Sequence, residues 1–335
     1  MDNRILFDIL YALTALNGRE QALFGNCASA AREAFARSAP GGVFPEIWFE
    51  VPLLGAPRFD LHALTSRETL DPDRAYPPET TGGFPEVFRW FAGQGHHGRQ
   101  LALSWDLYPD QAPSAAVQLL VNGTDPDTVP GFLRAAGRED AAERYRIFSG
   151  RLPENWFACY FGVFPGRPGS NLRAECIPEQ RLQAAYAEDP ELLRKHLEQA
   201  GFSAFGETLL SRCQLLARTP FQLEFQFDIE ENGATGPVIG ASLRFACPPG
   251  EDGRRSFDTE EADMLMERIC GWGLADGRWK QLRDTMFAMR VTRGEEQCRL
   301  FCYTAFIKLR WRSGEPLDAK AYLIAGTEKI EEEGS

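Results

Sequence analysis

The sequence predicts an α+β fold: a ten-stranded antiparallel β-barrel with a polar lumen, surrounded by a ring of α-helices. Three observations predict it. The order helix, strand, turn, strand recurs five times along 335 residues. The strands alternate apolar and polar residues with period two, the mark of a sheet whose two faces meet different surroundings. Ten consecutive antiparallel strands laid out as an open sheet would leave two long unpaired edges, which closure removes.

Each unit is read from its turn residues and its periodicity. The first has helical stretches at 5–16 and 20–37, then strands at 46–53 and 58–65 joined by Leu54-Gly55-Ala56-Pro57. The second has a short helix at 86–91 and strands at 101–108 and 115–121 around Pro109-Asp110-Gln111-Ala112-Pro113. The third runs from a helix at 132–148 into strands at 156–164 and 171–177, separated by Pro165-Gly166-Arg167-Pro168-Gly169. The fourth has helices at 190–200 and 205–217, then strands at 221–229 and 237–245 around Glu231-Asn232-Gly233. The fifth has helices at 259–271 and 279–289 and strands at 303–311 and 317–324 around Ser313-Gly314-Glu315-Pro316. Residues 1–325 are expected to form one barrel domain of five such units. The acidic tail from Gly326 to Ser335 is expected to fray.

The alternation is clean. Phe221, Leu223, Phe225, Phe227 and Ile229 oppose Gln222, Glu224, Gln226 and Asp228. Leu101, Leu103, Trp105 and Leu107 oppose Ser104 and Asp106, and Phe59, Leu61 and Ala63 oppose Arg58, Asp60 and His62. In the last hairpin Ile307, Leu309 and Trp311 oppose Lys308 and Arg310, and Ala319, Ala321 and Leu323 oppose Lys320 and Tyr322. The amphipathic helices must cover the apolar face. The polar face then lines the interior, and because about eight strands already leave room for one small ligand, ten leave a wider, hydrated chamber.

Composition narrows the function. A chain 44% hydrophobic and 25% charged is ordinary globular material. Its net charge of −12 argues against nucleic acid as a partner, because counterion release needs clustered Lys and Arg. The eight Cys stand singly, without C-x-x-C pairs, and read as buried free thiols in a reducing compartment. The apolar stretch 5–16 is interrupted by Asp8 and has no basic leader, so it is expected to be neither signal peptide nor membrane span, and the protein to be cytoplasmic. Without such a signal, the glycosylation pattern Asn122-Gly123-Thr124 has no weight. Gly93-Gln94-Gly95-His96-His97-Gly98 spells a dinucleotide motif, yet it follows a helix and precedes a strand, the reverse of what that site needs. It reads as a helix-terminating loop. His96 and His97 point apart, only His62 and His196 remain, and no histidine-rich metal centre is expected. Cys298 and Cys302 read as packing, and no P-loop, G-x-S-x-G or H-E-x-x-H occurs.

Five α-β-β units around a ten-stranded polar-lumen barrel resemble the aromatic prenyltransferases of the ABBA or PT-barrel type, over nearly the whole chain. Phe306-Ile307-Lys308-Leu309-Arg310-Trp311 and Ala319-Lys320-Ala321-Tyr322-Leu323 resemble the closing hairpin of those enzymes, where inward basic and Tyr residues meet the prenyl diphosphate. The resemblance implies transfer of a short isoprenyl group from an allylic diphosphate to an aromatic acceptor, an indole or phenol, in secondary metabolism. A peptide acceptor also fits. The D-D-x-x-D run of the all-helical prenyl transferases is absent, and Asp71-Pro72-Asp73 and Asp125-Pro126-Asp127 read as turns.

Such chemistry needs cations to hold the departing diphosphate, and the lumen parity supplies Arg58, Arg173, Arg244, Lys308, Arg310 and Lys320. Aromatic faces must shield the allylic cation, and Trp48, Tyr160 and Tyr322 share that parity. A carboxylate must orient or deprotonate the acceptor: Glu50, Asp60 or Glu224. Each of these can instead be a cross-strand ion pair or packing. The same parity carries Glu46, Glu50, Asp60, Asp106, Glu175, Glu224 and Asp228, which nearly cancel the cations. That balance leaves open Mg²⁺ or no cofactor at all, a cationic acceptor, or a salt-bridge network in a barrel that binds a small molecule or peptide without catalysis.

Overall fold

A computed structural model describes residues 3–38, 45–94, 100–107, 114–121, 127–166, 172–204, 206–245, 257–293 and 296–330. The turns at 109–113 and 167–169, the 95–98 part of the glycine-histidine loop, Asn122-Gly123-Thr124, Asp125-Pro126 and Cys247 lie outside the described residues.

Eleven strands form the sheet: β1 (Glu46–Pro52), β2 (Asp60–Ser66), β3 (Gln100–Asp106), β4 (Ser114–Leu120), β5 (Trp156–Val163), β6 (Leu172–Pro178), β7 (Gln222–Ile229), β8 (Thr235–Arg244), β9 (Phe287–Arg293), β10 (Glu296–Arg312) and β11 (Glu315–Lys329). All pairings are antiparallel, from β1 through β8 to β10 and β11, and β11 pairs back onto β1 with Phe49 opposite Leu323 and Glu50 opposite Tyr322. Ten strands therefore close a barrel, and β9 hangs on the first half of β10 outside the ring.

Closure is visible in burial. Phe49, Leu61, Leu103, Phe225, Leu243, Ile307 and Trp311 are wholly buried on the outer face, and Asp60, Gln118, Glu224, Gln226, Ser242, Lys308 and Lys320 of the opposite parity are buried too. An open sheet would wet one of the two sets.

The helical jacket comprises α1 (Asn3–Ala15), α2 (Ala28–Ser38), α3 (Pro85–Ala92), α4 (Thr128–Ala135), α5 (Asp140–Ser149), α6 (Gln180–Glu188), α7 (Pro190–Gln199), α8 (Glu207–Ala217) and α9 (Glu260–Gly271). Their apolar stripes join the outer faces of the strands in one core, where Phe7 and Phe24 meet Phe49, and Trp156 stacks on Phe225 at 5.2 Å.

Several boundaries differ from the sequence expectation. The stretch 20–37 breaks into a π turn at Glu20–Phe24 and α2, because Gly25 takes φ +60°. Gly137, at φ +69°, likewise divides 132–148 between α4 and α5. The expected helix 279–289 is a 3₁₀ helix, Gly277–Thr285, followed by β9. The tail does not fray at Gly326: β11 runs on to Lys329 because β10 starts at Glu296 and offers Leu300, Arg299 and Cys298 as partners for Thr327, Glu328 and Lys329. α6 follows β6 directly and was not expected; its Gln183 side chain ties it to β7 through the Phe221 carbonyl and the Leu223 amide. Of the described cysteines, Cys27, Cys176, Cys213 and Cys302 are buried, whereas Cys159, Cys270 and Cys298 are half-buried; all are free.

Three local devices aim side chains into the lumen. Ser313 (φ +51°) and Gly314 (φ +83°) make the tight left-handed turn that sets the register of β10 on β11. A bulge between Ala158 and Tyr160 moves Tyr160 off the outward face of Trp156 and onto the lumen face. A second bulge, between Thr304 and Phe306, leaves both Tyr303 and Phe306 inside, where they cluster with Tyr322 and Ile324 against Trp48 and Phe301.

Candidate functional site

The barrel encloses a chamber with about 540 Å³ of atom-free space, part of it open to solvent. Of the six predicted cations, Arg173, Arg244 and Lys308 line it. Arg58, Arg310 and Lys320 lie on the lumen face but do not reach the chamber wall. Of the carboxylates, Glu50 lines the chamber, and Asp60 and Glu224 are packed behind it. Trp48, Tyr160 and Tyr322 all line it.

The wall holds further residues that face parity did not single out as site residues: His62, Gln118, Cys159, Phe164, Glu175, Gln226 and Phe306. Phe306 shares the lumen parity of Lys308 and Arg310, but its apolar side chain gave no reason to single it out. Phe164 lies just past the end of β5. Glu175 stood only among the counter-charges, and His62 only on the polar parity.

Each lumen arginine faces a carboxylate. Arg58 pairs with Asp60 at 2.8 Å, Arg173 with Asp228 at 2.7 Å, Arg244 with Glu224 at 2.6 Å and Arg310 with Asp318 at 2.7 Å. Lys320 bridges Glu50 and Asp60, its Nζ lying 3.5 Å from Asp60 Oδ2 and closer still to Glu50. His62 Nε2 is 3.2 Å from the other Glu50 oxygen, and the Leu107 amide donates to Asp60 at 2.9 Å. Lys308 is different: its Nζ donates to the Tyr322 hydroxyl at 2.7 Å and it has no carboxylate partner among the described residues.

Aromatic faces stand close to these cations. The Arg244 guanidinium lies 4.4 Å from the Phe306 ring centre and Arg173 lies 5.1 Å from that of Phe164. Trp48 packs on Phe306 at 5.6 Å, and Phe306 meets Tyr322 edge-on at 6.0 Å. A positively charged species in this space meets ring faces on several sides. Gly162 is the backbone gap beneath the Tyr160 and Phe164 side chains; a Cβ there would stand 2.8 Å from the Tyr160 hydroxyl.

Burial and charge push the ionisable groups apart. Burial alone would raise Glu50, but Lys320, His62 and Lys308 outweigh it and hold this carboxyl well below the usual range. Burial raises Asp60 despite Lys320 and Arg58. Burial, reinforced by Glu175 and opposed by Arg244, pushes Glu224 up to about 7. Its Oε2 is buried without a hydrogen-bond partner. Burial lowers Lys308 and raises Tyr322. Carboxyls separated in this way can divide the work of acid and base at neutral pH.

Among the described residues no group of three or more His, Cys, Asp or Glu side chains gathers as a metal centre would. Glu50 and Glu175 do offer chamber oxygens, and one or two carboxylates beside a bound diphosphate are the usual protein share of a Mg²⁺ site. No helix among the described residues is long and apolar enough to cross a membrane.

No family model and no curated protein matches the chain. Solved structures do. The chain is similar to PriB in a binary complex with product diphosphate, at 14% identity over 96% of both chains with a TM-score of 0.50. It is similar to a 6-dimethylallyl tryptophan synthase at 14% identity, over 96% of this chain and 94% of that one, again with a TM-score of 0.50. A ternary complex of the prenyltransferase PriB with L-tryptophan and dimethylallyl thiolodiphosphate aligns at 0.47. At this identity the likeness establishes the fold. The architecture is a PT barrel, and the solved structures that share it are aromatic prenyltransferases of the ABBA type.

Proposed function

We propose that this protein is an aromatic prenyltransferase, moving a short isoprenyl group from an allylic diphosphate to an indole or phenol. One observation carries the reading: a closed barrel holds a chamber in which Arg173, Arg244 and Lys308 converge on a wall of aromatic faces, with Glu224 buried beside them. The bound-ligand descriptions of the structures sharing the fold, diphosphate and tryptophan, support the substrate class.

Lys308, lacking a carboxylate, is the primary anchor for the diphosphate, with Arg244 and Arg173 contributing their remaining N–H groups. Ionisation breaks the allylic C–O bond and the diphosphate leaves with the electron pair. Trp48, Tyr160, Phe164, Phe306 and Tyr322 face the carbocation and exclude water from it. The acceptor ring then forms the new C–C bond, and its proton passes to Glu224. Glu50, held ionised, orients the acceptor, whereas Asp60 belongs to the structural network around Lys320 and Arg58. The seven described free cysteines support a cytoplasmic, reducing location. The proposed partners are the donor and a small or peptide acceptor, with neither nucleic acid nor membrane.

The one-to-one pairing of lumen arginines with carboxylates favours a second reading, a barrel that binds a small molecule or peptide without diphosphate chemistry. Thermal stabilisation by dimethylallyl thiolodiphosphate and turnover of dimethylallyl diphosphate with a panel of indoles and phenols separate the two. Both are run with and without Mg²⁺. Stabilisation with turnover is expected; neither effect under any condition sinks the transferase and leaves the binding barrel.

A further inference from the structure

Outside the chamber, a chain of three hydrogen-bonding side chains crosses the apolar layer between barrel and jacket. Trp156, on β5, donates its indole N–H to the Tyr186 hydroxyl of α6 at 2.7 Å, and that hydroxyl lies 2.6 Å from Nδ1 of His196 on α7. Tyr186 is wholly buried and Trp156 nearly so, its ring stacked on Phe225 of β7, whereas His196 is half-buried at the surface end. The imidazole meets the Tyr186 ring edge-on at 5.6 Å. Among the described residues the Tyr186 hydroxyl makes no other hydrogen bond.

The donors fix the direction of the chain. An indole N–H can only donate, so the Tyr186 oxygen accepts, and burial keeps the phenol protonated. Its single hydrogen needs an acceptor, and His196 Nδ1 is the one at hydrogen-bonding distance among the described residues. His196 is therefore neutral, with its proton on Nε2. A second proton would aim N–H groups at the Tyr186 oxygen from both sides and leave the hydroxyl hydrogen buried without an acceptor, which is costly. The surrounding charges do not offset this. Burial lowers His196, and Lys195 on its own helix lowers it further; Arg194 is taken up by Glu191 and by Glu207 of α8, and no carboxylate pairs with His196 among the described residues.

We propose that Trp156, Tyr186 and His196 form an acid-released latch: it ties α6 and α7 to β5 while His196 is neutral and lets go when His196 takes up a proton. The strand it holds carries Cys159 and Tyr160 of the chamber wall. One end of the chain thus answers to solvent pH and the other belongs to the barrel wall, whether or not the barrel transfers prenyl groups. Because His196 is held below its ordinary value of 6.5, the stability it contributes is fully present above that value and is lost as pH falls through the folded one.

His196→Gln keeps a carbonyl that accepts from Tyr186 and does not titrate. Scanning calorimetry of the full chain is expected to give both proteins the same Tm at pH 8 and, at pH 5, a wild-type Tm lower by about 2 °C or more, the loss of one buried hydrogen bond in a chain of this size. A gap between the two proteins that does not open as pH falls overturns the inference. Where the variant fails to fold, nitrogen-15 NMR of the wild type decides it. Nδ1 of His196 is expected to be bare and Nε2 protonated at pH 8, and the Trp156 indole N–H to lose its protection from exchange in step with protonation of His196. A proton on Nδ1 at pH 8, or an imidazolium that leaves the indole protected, sinks the latch.

Discussion

Lys320 is the keystone of the densest charge cluster in the lumen, and removing it is a test of how the barrel tolerates its buried ions. It is 8% exposed and lies between Glu50, 9% exposed, and Asp60, 3% exposed. In Lys320→Met the side chain keeps its length and loses its charge, leaving two buried carboxylates with His62, Arg58, the Leu107 amide and the charge of Lys308 to answer them. Breaking one partner out of a buried ion cluster costs about 3–5 kcal/mol. For a chain of this size that lowers Tm by roughly 6–10 °C, at about 2 °C per kcal/mol. The loss carries a pH signature. In wild type Glu50 is held below its unfolded value, so its stabilisation is present above that value and disappears as pH falls through the folded one. Without Lys320, desolvation dominates and both carboxyls titrate above their unfolded values. The penalty is then absent in acid and grows as pH rises. Differential scanning calorimetry of both proteins from pH 5 to 8 is expected to show a gap that widens with pH. A Tm shift under about 2 °C, or a gap that ignores pH, would show that the cluster is not stabilised as argued here. The exposed Arg37–Glu33 pair on α2 is the contrast: Arg37→Ala is expected to leave Tm unchanged.

Glu224, raised to about 7, is expected to give the transfer rate a limb that climbs as pH rises through that value, since only the ionised form accepts the ring proton; Glu224→Gln flattens the limb and lowers kcat by about 10²-fold or more. Persistence of the limb in the variant refutes the role. Lys308→Met is expected to abolish stabilisation by dimethylallyl thiolodiphosphate; a wild-type ligand shift places the anchor elsewhere. Gly25→Ala would drive a Cβ onto the Pro57 carbonyl oxygen at φ +60° and is expected to cost about 3 kcal/mol or more in urea unfolding. Gly18→Ala, at φ +81° with nothing within 4 Å, isolates the backbone strain and is expected to cost only about 1–2 kcal/mol. Equal losses at the two glycines would mean that the clash is absent.

Where alternation was strict, the strands were legible from residues alone. Phe225 and Glu224 face opposite ways because period two leaves them no choice, and one face of each hairpin needed a helical cover. The errors cluster where something non-local decides. The helix expected at 279–289 ends as β9 because the first half of β10 offers it a free edge, and 326–329 is strand because residues 298–300 lie opposite. Gly25 and Gly137 split helices that hydrophobic periodicity joined.

The candidate site divides in the same way. Face parity placed Trp48, Tyr322, Lys308 and Glu224 in the lumen, since a side chain's direction follows from its place in the pleat. Parity says nothing about depth or about partners across the barrel. Only closure set Lys320 between Glu50 and Asp60, 270 residues apart along the chain in the first case, and left Glu175 without an ion pair among the described residues while every lumen arginine acquired a carboxylate. Which face a residue takes is a local property of the backbone. Which charge meets it depends on how the ring of strands closes, because burial makes each unpaired ion costly and pairing relieves it only at hydrogen-bonding distance.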